Sequence, residues 1–133
     1  MRDYKYYKKF FVVAAIWNWV ASAVFFCWYR QIFSLFDMKP LIYPVIMQLF
    51  LALVFVFGLG YYWVGGDIEK NHGIVKMGII GKLLVFILLL IHWIQGNIPF
   101  FIFAPGIVDL VFAILFIEFL LNFPKLKRSG NHH

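Results

Sequence analysis

Long apolar runs alternate with short polar clusters along this chain, and two basic tails close its ends. The runs cover residues 10–28, 41–64, 74–95 and 99–122. About 20 apolar residues suffice to cross the hydrocarbon core of a bilayer as a helix, so each run predicts a membrane-spanning helix. The polar clusters between them are too short to fold alone. The pattern therefore predicts an all-α protein, a single integral membrane domain built as a left-handed antiparallel four-helix bundle with its polar residues facing inward.

Local signals place the ends of these spans. Residues 1–9 carry Arg2, Lys5, Lys8 and Lys9 among three tyrosines and read as an interfacial anchor. The small residues Ala21, Ser22 and Ala23 resemble a signal-peptidase site, but the apolar run continues through Trp28, and the segment is read as a retained span. Residues 29–40 read as a loop limited by Ser34 and Pro40. In the second span Gly58 and Gly60 allow a neighbouring helix to approach, Tyr61, Tyr62 and Trp63 mark an interface, and Gly65 and Gly66 end the helix. The middle cluster, residues 67–73, is a solvated connector in which Asp67 or Asn71 caps a helix. Gly96 and Asn97 leave room only for a tight turn, making the third and fourth spans a helical hairpin. Pro105 and Gly106 predict either a kink in the fourth span or a late start to it.

Composition adds a class and an orientation. Of 133 residues, 64% are hydrophobic and only 14% charged, which places the chain in lipid. The net charge of +6 has a membrane explanation rather than a nucleic-acid one. Nine basic residues lie in the tails and beside the middle cluster, whereas Arg30 and Lys39 alone fall in the other connections. By the positive-inside rule both termini are expected to be cytoplasmic. A single cysteine, Cys27, excludes an intrachain disulfide and the dithiol chemistry of membrane disulfide-exchange enzymes. His92 alone among the histidines lies well inside a span, which excludes bis-histidine haem ligation within one chain. Cys27 with His92 is too little for a zinc site. His132 and His133 are read as a remnant of handling.

The informative residues are the charges within the runs. A lysine near mid-membrane costs about 2.5 to 3.5 kcal/mol to insert, so Lys82 needs a partner or a wet cavity. Counting from the predicted turn, Lys82 lies 14 residues before Gly96 and Asp109 lies 12 after Asn97. At about 1.5 Å per residue these are nearly one depth. Lys76 and Glu118 repeat the relation nearer the cytoplasmic side, 20 before and 21 after. Rotation opposes the second rung, because about 100° per residue puts Asp109 and Glu118 on opposite helix faces. Lys82 and Asp109 have two readings: a neutral pair that holds the hairpin in register, or a relay or headgroup site. A fourth helix starting at Gly106 would instead leave Asp109 near its N-terminus, where a carboxylate is favoured without any partner. The remaining polar side chains, Asn18, Gln48 and His92, are expected to make hydrogen bonds between helices.

The segments GIIGK (Gly78–Lys82), G-x-I-P (Gly96–Pro99) and DLVFAILF (Asp109–Phe116) resemble the second half of small four-span bacterial proteins of the DoxX-like kind. That resemblance implies a four-helix membrane bundle located in the bacterial inner membrane and brings no catalytic residues with it. The small multidrug exporters are a poorer likeness, since their acidic residue in the first span has no counterpart between Phe10 and Trp28. No nucleophile motif, phosphate loop, metal set or cofactor site is evident, and no cofactor is expected. The expected role is a non-enzymatic accessory or assembly subunit, with the bilayer, a larger membrane complex or further copies of itself as partners. Two alternatives stand beside it: a small oligomeric transporter or channel using Lys82 and Asp109, and a membrane enzyme acting on lipid or quinone.

Overall fold

A computed structural model describes residues 3–128; Arg2, His132 and His133 lie outside that range. The chain forms α1 (Tyr4–Leu35), α2 (Pro44–Gly66), α3 (His72–Ile94) and α4 (Phe100–Arg128), packed antiparallel as a bundle. All four are long and apolar enough to cross a membrane. Most of their apolar surface faces outward: Val20, Leu53, Ile80, Leu88, Val111 and Leu121 are each at least half exposed. An apolar exterior of this extent requires hydrocarbon around it. The protein is an integral membrane protein with four spans.

Helix α1 packs along α2 and α3 along α4, giving two tight hairpins, and sparser contacts of α2 with α3 and α1 with α4 join them. The core is not spread evenly along the bundle. Tyr4, Tyr7, Phe11, Ala14 and Ala15 of α1 recur at helical spacing and meet Phe116, Phe119, Phe123 and Leu126 of α4. Tyr61 and Val64 from the end of α2 and Val75 from the start of α3 complete this cluster. It lies wholly at the end of the bundle that holds both termini and the α2–α3 connection. Aromatic edge-to-face contacts such as Phe11 with Phe119, centroids 5.0 Å apart, pack it. Toward the other end fewer large side chains are buried, Tyr29, Phe33, Leu51 and Phe103 among them, and the hairpins meet there through Phe36 stacked on Phe101, ring centres 4.5 Å apart.

Several sequence expectations change here. Helix α1 continues to Leu35, through a non-helical Trp28 (φ −126°, ψ 19°), where a loop was expected from residue 29. The break resets the helix so that Tyr29 and Phe33 turn inward and are buried. The anchor at residues 1–9 is helical from Tyr4, capped by the Asp3 carboxylate accepting from the Tyr6 amide at 2.9 Å. Tyr4 and Tyr7 are core residues rather than headgroup anchors, because that end of the bundle is packed by rings. Tyr61 likewise is fully buried, while Tyr62 and Trp63 face outward. Asp67 caps the C-terminus of α2, its backbone N–H donating to the Trp63 and Val64 carbonyls, and Asn71 takes the N-cap position of α3 in the left-handed region at φ 67°, without a side-chain hydrogen bond to that helix.

Helix α4 begins at Phe100 and runs through both Pro105 and Pro124 to Arg128, so the late start at Gly106 does not occur. Pro105 is its sixth residue, so only one internal bond, to the Phe101 carbonyl, is lost. The glycines act as expected at α2. A Cβ at Gly58 would lie 2.5 Å from Trp19 Nε1, and one at Gly60 2.9 Å from an Ile74 methyl. At the α3–α4 turn Gly96 takes φ 78°, a conformation other residues resist.

Candidate functional site

The buried faces of the helices converge on one polar cluster. On α4, Asp109 shares the stripe of Phe103, Gly106, Ala113 and Phe116, at steps of three and four residues. On α3, Lys82 continues the buried series Val75, Gly78. On α1, Asn18 follows Phe11, Ala14 and Ala15 and precedes Ser22. The three stripes meet where the packed end of the bundle gives way to the less densely packed one.

Lys82 donates to Asp109 Oδ1 at 2.8 Å, forming an ion pair whose side chains keep 6% and 18% of their exposure. It also donates to Asn18 Oδ1 at 3.2 Å. The Asn18 amide nitrogen in turn donates to the Val54 carbonyl of α2 at 3.1 Å. Trp17 Nε1 reaches the same Asp109 Oδ1 at 3.3 Å. The ammonium lies 5.4 Å from the Tyr61 ring centre and 5.3 Å from that of Phe112, within the range of cation–π attraction. Lys82 thereby touches side chains from every other helix. Its bond to Asn18 crosses the diagonal between α1 and α3, two helices that do not otherwise pack together. This explains how the charge is tolerated, since polar groups, rings and a counter-ion replace the hydration it has lost.

Of the other sequence candidates, none joins this cluster. Lys76 is exposed and Glu118 half-buried, and the second rung is not displayed, in keeping with the rotation that sets Glu118 off the stripe carrying Asp109. His92 is exposed at the end of α3 and serves the turn: the Asn97 side-chain nitrogen lies 3.0 Å from His92 Nδ1, and the Asn97 amide donates to the His92 carbonyl at 2.8 Å. The side chain of Gln48 is half-buried and meets no hydrogen-bond partner among the described residues. Trp17 and Phe112 belong to the cluster without having been singled out, and Tyr61 joins it where an interfacial residue was expected. Nothing in the sequence pointed to Trp17 or Phe112 beyond their proximity to Asn18 and Asp109. Tyr61 carried the signal of a helix facing glycines, which was read as an interface.

The cluster forms the floor of a groove between the hairpins. Its upper chamber, about 400 Å³, is walled by apolar side chains including Ala21, Phe50, Leu51, Val54, Val85 and Leu89, and opens at Met38, Lys39 and Ile98 near the helix connections. A lower chamber of about 200 Å³ reaches down to Tyr61, Gly78 and Lys82. Asn18, Val54, Val85 and Asp109 border both. Below Tyr61 the rings of the packed end close the space. Among the described residues no three His, Cys, Asp or Glu side chains converge as metal ligands.

Comparison with family models, with curated proteins and with solved structures gave no match. The likeness to DoxX-like proteins therefore has no family match behind it.

Proposed function

We propose that this four-span membrane protein is a non-enzymatic binding protein that holds one lipophilic molecule in the groove between its hairpins. A single observation carries the reading: Asp109, ion-paired to Lys82 in the chamber below, borders a mostly apolar groove between the hairpins. Such grooves, of about 300 to 1,000 Å³ with a few convergent polar groups, are where small molecules bind. Bulk lipid chains would fill an apolar groove without needing charges at its base, and burying those charges is expensive. A ligand with a polar end gives them a use.

The non-enzymatic part rests on the chemistry of the walls. Ser22 is the hydroxyl side chain in the upper chamber, and its Oγ donates to the Trp19 carbonyl at 3.1 Å. No base adjoins it. Conduction by a single bundle is disfavoured by the ring-packed end below Tyr61, where the core cluster fills the space between the helices. A role as accessory or assembly subunit agrees with a binding protein that hands its ligand to a partner.

The test is extraction in a mild detergent followed by native mass spectrometry and lipid analysis. The expected result is one lipophilic species retained in stoichiometric amount, and its loss in Ala21→Phe, which fills the upper chamber. Retention of ordinary membrane lipids alone, in both proteins equally, would overturn the reading.

A further inference from the structure

The hydrogen-bonding capacity left over in the cluster specifies the polar end of a ligand, given the groove-binding reading above. Lys82 spends two N–H groups on Asp109 and Asn18 and turns toward the faces of Tyr61 and Phe112. Trp17 spends its one donor on Asp109 Oδ1. Oδ1 already accepts twice, whereas Asp109 Oδ2 meets no donor among the described residues. Asn18 gives one amide hydrogen to the Val54 carbonyl and retains a second. Both Asp109 and Asn18 border both chambers. The groove floor thus offers one open carboxylate acceptor and one open amide donor, beside the third Lys82 N–H, which has the Tyr61 and Phe112 rings near it.

We propose that the group bound there is a hydroxyl, which donates to Asp109 Oδ2 and accepts from Asn18 Nδ2, on a neutral lipophile whose body fills the apolar chamber. The alternatives fit less well. A phosphate or carboxylate would face the Asp109 carboxylate, and a carbonyl or ether could only accept, leaving Oδ2 unmet. An ammonium could only donate and would sit beside Lys82, whose charge already balances Asp109. Phenols of the quinol type and alcohols of the acylglycerol or prenol type share the hydroxyl.

Two matched pairs of probes decide the matter on the unaltered protein in nanodiscs: decylphenol against decylanisole, and dioctanoylglycerol against its methyl ether. A hydrogen bond to a charged group predicts tighter binding of the hydroxyl member by about tenfold or more. The double variant Lys82→Met/Asp109→Leu, which removes the pair together, is expected to abolish that preference. If only the phenol pair discriminates the ligand is quinol-like, and if only the glycerol pair does it is an aliphatic alcohol. Equal binding of hydroxyl and ether, with both lost in Ala21→Phe, would overturn the hydroxyl assignment and leave the groove. Binding of none of the four would overturn both. Tighter binding of decanoate or decylamine than of decylphenol would also overturn the hydroxyl assignment.

Discussion

Removing one member of the Lys82–Asp109 pair tests whether it is a closed electrostatic unit or simply one polar contact among several. In Lys82→Met the carboxylate keeps only Trp17 Nε1, at 3.3 Å, and loses the ammonium at 2.8 Å. Two magnitudes compete. An ordinary hydrogen bond between membrane helices is worth about 0.6 kcal/mol on average. Stranding one charge of a buried pair costs about 3 to 5 kcal/mol. The pair's 6% and 18% side-chain exposure places it with the second case. We therefore expect Lys82→Met and Asp109→Asn each to lose about 3 kcal/mol or more, roughly a hundredfold in the ratio of folded to unfolded protein. Lys82→Met/Asp109→Leu leaves no charge behind and is expected to return to within about 1 kcal/mol of the unsubstituted protein. Reversible unfolding by sodium dodecyl sulfate in mixed micelles, followed by tryptophan fluorescence, reads all four proteins. A Lys82→Met protein as stable as the original would refute the argument, and so would a double variant no better than its parents.

Other outcomes follow from the same geometry. Asn18→Leu takes one of two acceptors from Lys82 but leaves the ion pair, so a smaller loss of about 1 to 2 kcal/mol is expected in the same unfolding assay. Gly78→Ala sets a methyl 2.6 Å from Tyr61 Oη and should cost about 1 to 3 kcal/mol, whereas Gly81→Ala meets open space and should be silent; thermal melts of the pair check this. The excess of basic residues at the terminal end predicts that this end is cytoplasmic. In a Cys27→Ser background, Asn97→Cys should then react with an impermeant maleimide added outside intact cells, and labelling only after the cells are opened would reverse the orientation.

What could be read in the sequence was position along the helix axis. Each residue adds about 1.5 Å of rise whatever its neighbours are, so a turn at Gly96 and Asn97 sufficed to bring Lys82 and Asp109 to one level. Direction around the axis is a different quantity. It depends on which helices flank a stripe, and the pairing of α1 with α2 and α3 with α4 was not written in any one span. Hence Asn18 was visible as a polar residue but not as a ligand of Lys82, and Trp17 was not visible as a donor at all. Helix ends failed for a related reason. Leu35 and Arg128 lie well beyond the apolar runs, and Pro124 is tolerated late in α4, where Phe123 and Leu126 still pack inward. Tertiary packing, rather than local propensity, extends those helices.

The structural lock and the proposed ligand site would be one arrangement seen from its two sides. Below it, rings from α1, α2 and α4 with Val75 of α3 close the bundle. Above it, small side chains such as Ala21, Ser22, Val54 and Val85 line the groove, and the hairpins rejoin at the stack of Phe36 on Phe101. Lys82 sits at the neck and reaches all the other helices, so it holds the grooved half to the packed half. A molecule that seats its hydroxyl on Asp109 and Asn18 would fasten the same neck from above. Binding and stability are therefore linked, and a ligand at 100 times its dissociation constant should add about 2.7 kcal/mol to the unfolding free energy. That increment should appear in the unsubstituted protein and vanish in Ala21→Phe. A stabilisation that survives the blocked groove would place the ligand elsewhere on the lipid-facing surface.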